Sequence, residues 1–423
     1  MPPLSYSLYR AASHLAAPLL RRLLAKRVGR GKEIAERLPE RFGIDATPRP
    51  DGKLLWLHAA SVGETMSVLP VLSALPASLG VLVTTGTVTS AQLLAQRLPN
   101  LGLSKRVVHR FVPLDVPEWV ERFLDHWRPD AGALVESELW PNLILAARAR
   151  HIPMALLNAR LSAGSARGWG RVPGFARYVL QSFAIIAAQS EQDAARLRAL
   201  GASAATAPGN LKFAASPLPA SGPELARLRE AIGHRPIFLA ASTHDGEEAA
   251  AIAAHRIVAA QCPNLLNIIA PRHPERGAAI ATLAGDAPRR SRGELPGDGP
   301  FWIADTLGEM GLFYRLAPLA FIGGSIASRG GQNPLEAARL GCVVSCGPHM
   351  ENQAEAASLL EDGGALTRVA DAASLAAWIG AMLTDAPARQ RASEAGMQAA
   401  SRDADLPRQF AASLAVMAGV PPA

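Results

Sequence analysis

Residues 214–223 read AASPLPASGP, and this decapeptide decides how the chain divides. Small residues and three prolines make a stiff linker with no apolar period of its own. Upstream of it, short apolar runs at 53–59, 81–85, 107–112, 131–135, 154–158 and 185–189 alternate with helical stretches. One such stretch, 192–200, is capped by Ser190 and ended by Gly201. Downstream the pattern restarts at 237–241, 265–270, 301–304, 319–322 and 342–345. Most of these runs are continuous, as expected for parallel strands covered on both faces. Two successive α/β halves predict two Rossmann-like domains facing a central cleft, with ligands held at the carboxyl ends of strands. The expected boundaries are a basic segment over 1–42, a first domain over 43–213, the linker over 214–223 and a second domain over 224–423.

The rest of the composition bounds the function. A chain of 423 residues, 49% hydrophobic and 19% charged, buries a large core and exceeds one domain of usual size. Residues 1–42 carry nine Lys or Arg against Glu33, Glu36 and Glu40, which is six of the seven net positive charges. A basic end on a nearly neutral body points to an acidic partner, and no nucleic-acid motif accompanies it, so anionic lipid is the expected partner and nucleic acid is not. The uncharged run 11–20 is too short to span ~30 Å of hydrocarbon. An amphipathic helix lying on the membrane, with Leu15, Leu19, Leu20, Leu23 and Leu24 toward lipid, fits the pattern. A helix packed on the protein itself is the alternative. Cys262, Cys342 and Cys346 read as buried thiols of a reducing compartment.

Five constellations could carry chemistry. In HAASVGE (58–64), small residues let the backbone approach a ligand, and Glu64 begins a helix after the first strand. There it can accept a proton, although a helix-terminal glutamate stabilised by the macrodipole explains it equally well and would have a lowered pKa. In ESELWPN (136–142), Glu136 and Glu138 follow the fourth strand without further metal ligands nearby. The only Asp-x-Asp triplet, at Asp403 and Asp405, sits in a polar tail, so neither a metal nor another cofactor is expected. In GNLKF (209–213), Lys212 at the interdomain hinge can reach an anion, or is an ordinary exposed lysine. In PRHPER (271–276), Arg272 suits a phosphate, and His273 is as well explained by packing as by catalysis. Last, Gly323-Gly324-Ser325 and Gly330-Gly331-Gln332 expose successive N–H groups as an anion nest. Asn333 then caps a helix that begins Pro334-Leu335-Glu336, whose N-terminus suits a nucleotide phosphate. Walker, GxGxxG, nucleophile-elbow and HExxH motifs are missing, which removes the main support for kinase, dehydrogenase, hydrolase and zinc-protease readings.

Together the motifs resemble one family, the bacterial 3-deoxy-D-manno-octulosonic acid (Kdo) transferases of lipid A assembly. HAASVGE, TTGTVTSA, ESELWPNLI, NARLS, AAQSEQDAARL, GNLKF, STHDGEE, PRHPER, DTLGEM and GGSIASRGGQNPLEAA run in that order over residues 58–338. The resemblance implies a GT-B fold, with an acceptor-binding first domain and a CMP-Kdo-binding second domain. It implies inverting, metal-independent transfer of Kdo from CMP-Kdo to the lipid A precursor lipid IVA at the cytoplasmic face of the inner membrane, in lipopolysaccharide biosynthesis. Glu64 matches the proton acceptor, and Glu136 and Lys212 match positions that stabilise the transition state. CMP contacts fall on Pro271-Arg272, on Leu307-Gly308-Glu309 and on Asn333-Pro334-Leu335-Glu336. One departure stands out: Gln332 replaces the usual His, and it donates hydrogen bonds without carrying charge. A nucleotide-sugar epimerase of the same fold, or a membrane-surface nucleotide-sugar binder, are the competing readings. The basic amino-terminal segment argues against the first, and the set Glu64, Glu136 and Lys212 against the second.

Overall fold

The structure, a computed structural model, describes residues 2–214 and 217–422. Ala215 and Ser216 of the expected linker lie outside the described residues, as do Met1 and Ala423. The chain forms two α/β units, Met1–Ala215 with Asp403–Ala423, and Ser216–Arg402.

The first unit holds strands β1 (Leu54–His58), β2 (Gly80–Thr85), β3 (Val107–Phe111), β4 (Ala131–Val135), β5 (Met154–Ala159) and β6 (Phe183–Ala188). They form one parallel sheet in the order β3-β2-β1-β4-β5-β6. Every residue of β1 and β4 is buried, as the continuous apolar runs require. Alternate residues feed opposite faces. Leu55 and Leu57 join one apolar cluster with Val68 and Val71, while Leu54 and Trp56 join the other with Phe123 and Leu145.

The second unit repeats the topology with β7 (Ile237–Thr243), β8 (Leu266–Pro271), β9 (Phe301–Ile303), β10 (Leu319–Ile322), β11 (Val343–Cys346) and β12 (Leu366–Arg368), in the order β12-β11-β10-β7-β8-β9. In both sheets the first strand lies between strands wound in opposite directions, so β1/β4 and β7/β10 are the topological switch points where such sheets open a ligand crevice. β12 was not expected: it is three residues long, and two of them are exposed.

Three boundaries differ from the sequence reading. The helix Gly222–Ile232 starts inside the expected linker, with Ser221 as its cap. The tail also departs from the expected 224–423 domain, because Asp403–Ala423 folds with the first unit. Its helix Leu406–Met417 buries Leu406, Phe410, Ala411 and Leu414 in the cluster that covers β1 and β2. At ~1.5–3 kcal/mol for each large apolar side chain, that burial fixes the helix to the first sheet.

The third is the boundary at 42, since the amino-terminal segment belongs to the first unit and forms helices Leu4–Leu15 and Ala17–Val28 and a 3-10 stretch Ala35–Phe42. Leu24, expected toward lipid, is buried in the protein, whereas Leu15, Leu19 and Leu23 are exposed. Part of the basic charge is also internal. Arg41 is buried and pairs with Glu33 at 3.0 Å, Arg27 pairs with the same glutamate at 3.0 Å, and Arg37 pairs with Glu40 at 2.7 Å. Among the described residues, no helix is long and apolar enough to cross a membrane.

Candidate active site

In the first unit the candidate side chains gather at the carboxyl ends of β1 and β4, the switch point. Ser61 caps the helix Val62–Ala74, and Glu64 occupies its third position. The Ser61 hydroxyl donates to Glu64 Oε1 at 2.7 Å, and the Ala60 N–H donates to Oε2 at 2.8 Å. Glu64 is buried, and burial pushes its pKa above the ordinary glutamate value. The two hydrogen bonds pull it down by less, and the negative charges of Glu138 and Glu136 add to the rise. A helix-terminal charge with a lowered pKa, one of the two expectations, is therefore the opposite of the direction found.

Glu136 follows β4 directly and adopts a left-handed backbone, φ +60°. A non-glycine residue held there stores strain, which recurs where a side chain must be aimed. Its Oε1 lies 2.8 Å from Lys212 Nζ, and the pair is largely shielded from solvent on the Glu136 side. Lys212 sits on the 3-10 turn Leu211–Phe213, and Asn210 caps that turn by accepting the Lys212 N–H at 3.0 Å. Glu64, Glu136 and Lys212 are thus brought to one end of one sheet.

Two further residues of this cluster were not singled out from the sequence. His58, wholly buried at the end of β1, donates from Nδ1 to the Thr84 carbonyl at 3.0 Å and turns Nε2 toward Glu138 Oε2 at 3.5 Å. Trp140 Nε1 donates to the same oxygen. Burial works against the charge on Glu138, but the His58 contact and the Trp140 hydrogen bond outweigh it and hold this carboxyl below its ordinary pKa. Of two glutamates two residues apart, one pairs with lysine and the other with histidine.

In the second unit the corresponding switch point contains a carboxylate of its own. Glu247, 1% exposed, begins the helix Glu247–Val258 after β7. Its carboxylate accepts five backbone N–H groups: His244 at 2.9 Å, Gly324 at 2.7 Å, Ser325 at 2.9 Å, Ile326 at 2.8 Å and Ala327 at 3.1 Å. The nest expected at Gly323-Gly324-Ser325 exists, but the anion in it is this side chain, so no donors there remain for a phosphate. In the second glycine pair, the Gly331 N–H goes to the Gly324 carbonyl at 2.9 Å and the Gln332 N–H to the Gly323 carbonyl at 3.1 Å. Close packing accounts for the glycines: a Cβ on Gly323 would lie 2.4 Å from the Ser242 carbonyl oxygen.

Cationic groups stand beside that filled nest. Arg272 and Arg329 are exposed, and neither has a carboxylate partner among the described residues. Both lie close enough to His244 to oppose its protonation, and the His244 and His273 rings meet edge to face at 5.6 Å. Partial burial lowers the His244 pKa first, Glu247 opposes this, and the positive charges of His273, Arg329 and Arg272 lower it further. The Gln332 amide lies 3.5 Å from His244 Nε2.

The comparisons with known proteins agree with this architecture. The family model described as 3-deoxy-D-manno-octulosonic-acid transferase matches residues 36–215. A 3-deoxy-D-manno-octulosonic acid transferase of Bordetella pertussis is 37% identical over 84% of this chain and 86% of its own length. One from Rickettsia bellii is 36% identical over 83% and 84%. The chain belongs to the Kdo transferase family. It is therefore a glycosyltransferase, and its two parallel sheets are those of the GT-B class. A solved glycosyltransferase of Rickettsia africae shares the fold, with a TM-score of 0.53 at 11% identity, covering 87% of this chain and 99% of that one.

Within this Kdo transferase the remaining expected nucleotide contacts have varied surroundings. Pro271 closes β8, and the Arg272 N–H is tied to the Thr243 carbonyl at 2.9 Å. Leu307 and Gly308 are exposed in the turn after β9, and Gly308 has φ +82°. Glu309 is engaged: Arg290 binds both its oxygens, at 2.7 and 3.1 Å, and that contact leads in holding its pKa below the ordinary range. Asn333 caps the helix Pro334–Arg339 by accepting the Leu335 N–H at 3.1 Å, as expected. That helix is only six residues long, which limits its macrodipole. Burial raises the pKa of Glu336. Cys342 and Cys346 are buried free thiols whose pKa values burial pushes up to about 12.

Proposed function

We propose that this enzyme transfers Kdo from CMP-Kdo to a hydroxyl of lipid IVA in a single inverting displacement that needs no metal ion. The observation that carries the reading is Glu64: a buried carboxylate with a raised pKa, at the switch point of the first sheet, close to a glutamate–lysine pair. A base must be ionised yet hold a proton well once it receives one, and desolvation improves its basicity. Glu64 takes the acceptor hydroxyl proton as that oxygen attacks the anomeric carbon. CMP leaves as a stable anion, so the leaving group needs no proton. The transition state is cationic at the sugar ring, which the Glu136 carboxylate favours, while Lys212 balances the carboxylate of Kdo.

The donor role belongs to the second unit, through the expected contacts at Pro271-Arg272, Leu307-Gly308-Glu309 and Asn333-Pro334-Leu335-Glu336. The phosphate goes to Arg272, Arg329 and His244 rather than to the glycine nest, because two unpaired guanidinium groups suit a phosphate and the nest is filled. Gln332 then acts through its amide beside His244, which explains how a neutral residue serves in place of the usual His. Release of CMP by the purified enzyme should require a lipid IVA-like acceptor and proceed at the same rate in EDTA. Loss of that release in EDTA, restored by a divalent cation, contradicts the metal-independent mechanism.

The acceptor is lipid, and the amino-terminal helices fit work at the cytoplasmic face of the inner membrane. Leu4, Leu8, Leu15, Leu19 and Leu23 are exposed there, and Arg22, Lys26, Arg30 and Lys32 remain solvent-facing beside them. Tyr9 anchors the first helix to the body by donating to Asp115 Oδ2 at 2.8 Å, so side-chain changes test this surface better than a deletion. Changing Leu15, Leu19 and Leu23 together to Ser should weaken binding to anionic vesicles by about tenfold or more, at ~0.8 kcal/mol per buried methylene, with CMP affinity unchanged. Sedimentation with vesicles reads this, and undiminished binding rules the surface out.

A further inference from the structure

The chain leaves the first unit after Ala215 and rejoins it at Asp403. The residue at which it rejoins is buried, and its Oδ2 accepts the Asn210 N–H at 2.9 Å. Its Oδ1 occupies the place where a side chain on Gly209 would begin, since a Cβ built there would lie 2.4 Å away. Gly209 also has φ +139°, a conformation that side chains rarely adopt. Only glycine lets this carboxylate approach so closely.

The turn so held is the one that carries Lys212. Asn210 caps it through the Lys212 N–H, and Asn158 Oδ1 accepts the Leu211 N–H at 2.9 Å. Asn158 is wholly buried at the end of β5 and has a left-handed backbone, φ +51°. The backbone N–H groups of Asn210, Leu211 and Lys212 are therefore fixed by three different side chains, and the lysine side chain is aimed at Glu136. Fixation of this kind matters because a displacement of ~1 Å at a reacting group can cost ~10²-fold in rate.

We propose that Asp403 is a positioning residue for Lys212, so that the returning tail sets the geometry of the Glu136–Lys212 pair. The inference rests on the reading that this pair acts on the transition state. It gives a chemical role to Asp403, one of the two aspartates of the Asp-x-Asp triplet.

The test is a double-mutant cycle in the full-length enzyme, with kcat and the KM for CMP-Kdo measured separately. Asp403→Ala should lower kcat by ~30-fold with KM for the donor changed less than ~3-fold, and Asp403→Asn, which keeps an acceptor for the Asn210 N–H, should recover most of the rate. In a Lys212→Met background, Asp403→Ala should add less than ~3-fold, because its effect passes through the lysine. Losses that multiply independently, or full turnover in Asp403→Ala, overturn the proposal. Full turnover in Lys212→Met instead overturns the reading of the pair, and the proposal with it. If Asp403→Ala does not fold, Gly209→Ala attacks the same contact from the other side, and wild-type kcat in that variant is equally fatal.

Discussion

Glu64→Gln should fold, bind CMP with unchanged affinity and lose at least ~10³-fold in kcat. General-base catalysis contributes ~10²–10⁴-fold, and the amide keeps the shape of the carboxylate while losing its proton affinity. The glutamine oxygen keeps the Ala60 N–H bond and its amide N–H can donate to the Ser61 hydroxyl oxygen in place of the bond Glu64 accepts there, so the defect should appear in turnover rather than in donor binding. The pKa direction adds an independent check. A carboxyl whose pKa is raised in the folded state favours folding while protonated, and this contribution is lost as pH rises from the unfolded value through the folded one. At neutral pH the ionised Glu64 therefore costs stability, and Glu64→Gln should melt at the wild-type temperature or above it. The acid limb of kcat/KM should likewise lie above the ordinary glutamate value of about 4.3. Near-normal turnover in the variant, or a limb at or below that value, removes Glu64 from the role of base.

The second large effect concerns Glu247, whose carboxylate is the anion inside the glycine nest. Glu247→Ala strands five backbone donors, each costing ~1–3 kcal/mol when left buried and unpaired, with partial rescue by water. A net loss of ~4 kcal/mol or more is expected, which corresponds to roughly 10 °C in the melting of a unit of this size. Glu247→Gln retains one acceptor and should lose less. Differential scanning calorimetry of the two variants provides the comparison. Wild-type stability in Glu247→Ala, together with gain of a phosphate site in the nest, would restore the loop to ligand binding and refute an internal role for this carboxylate.

The strands were legible because burial on both faces writes itself as a continuous apolar run, as in β1 and β4. β12 left no such mark, having one buried residue in three. The sheet that the tail covers is illegible for a related reason. An amphipathic helix such as Leu406–Met417 announces that it has an apolar face, not which of two sheets that face covers. In the candidate site, Asn333 is legible as a helix cap from its own turn, and Glu64 as a residue at a helix start. Contacts distant in sequence are not legible. Glu247 meets Ser325 and Asp403 meets Asn210, and nothing local signals either pairing. Glycine pairs mark a place where backbone N–H groups converge, but they do not say whether a ligand or the protein supplies the anion. Nor does charge counting reveal that Arg41 and Glu33 pair inside the fold, although that pairing leaves the net excess of residues 1–42 unchanged.

On the proposed mechanism, Glu64 accepts the proton and Arg272, Arg329 and His244 recognise the donor. The most direct test of that account is the mass of the acceptor after long incubation of the purified enzyme with CMP-Kdo and lipid IVA. Lipid IVA should gain mass in whole Kdo units, with one CMP released for each, and the mass gain should vanish with Glu64→Gln. Unchanged acceptor beside consumed or isomerised CMP-Kdo would contradict it.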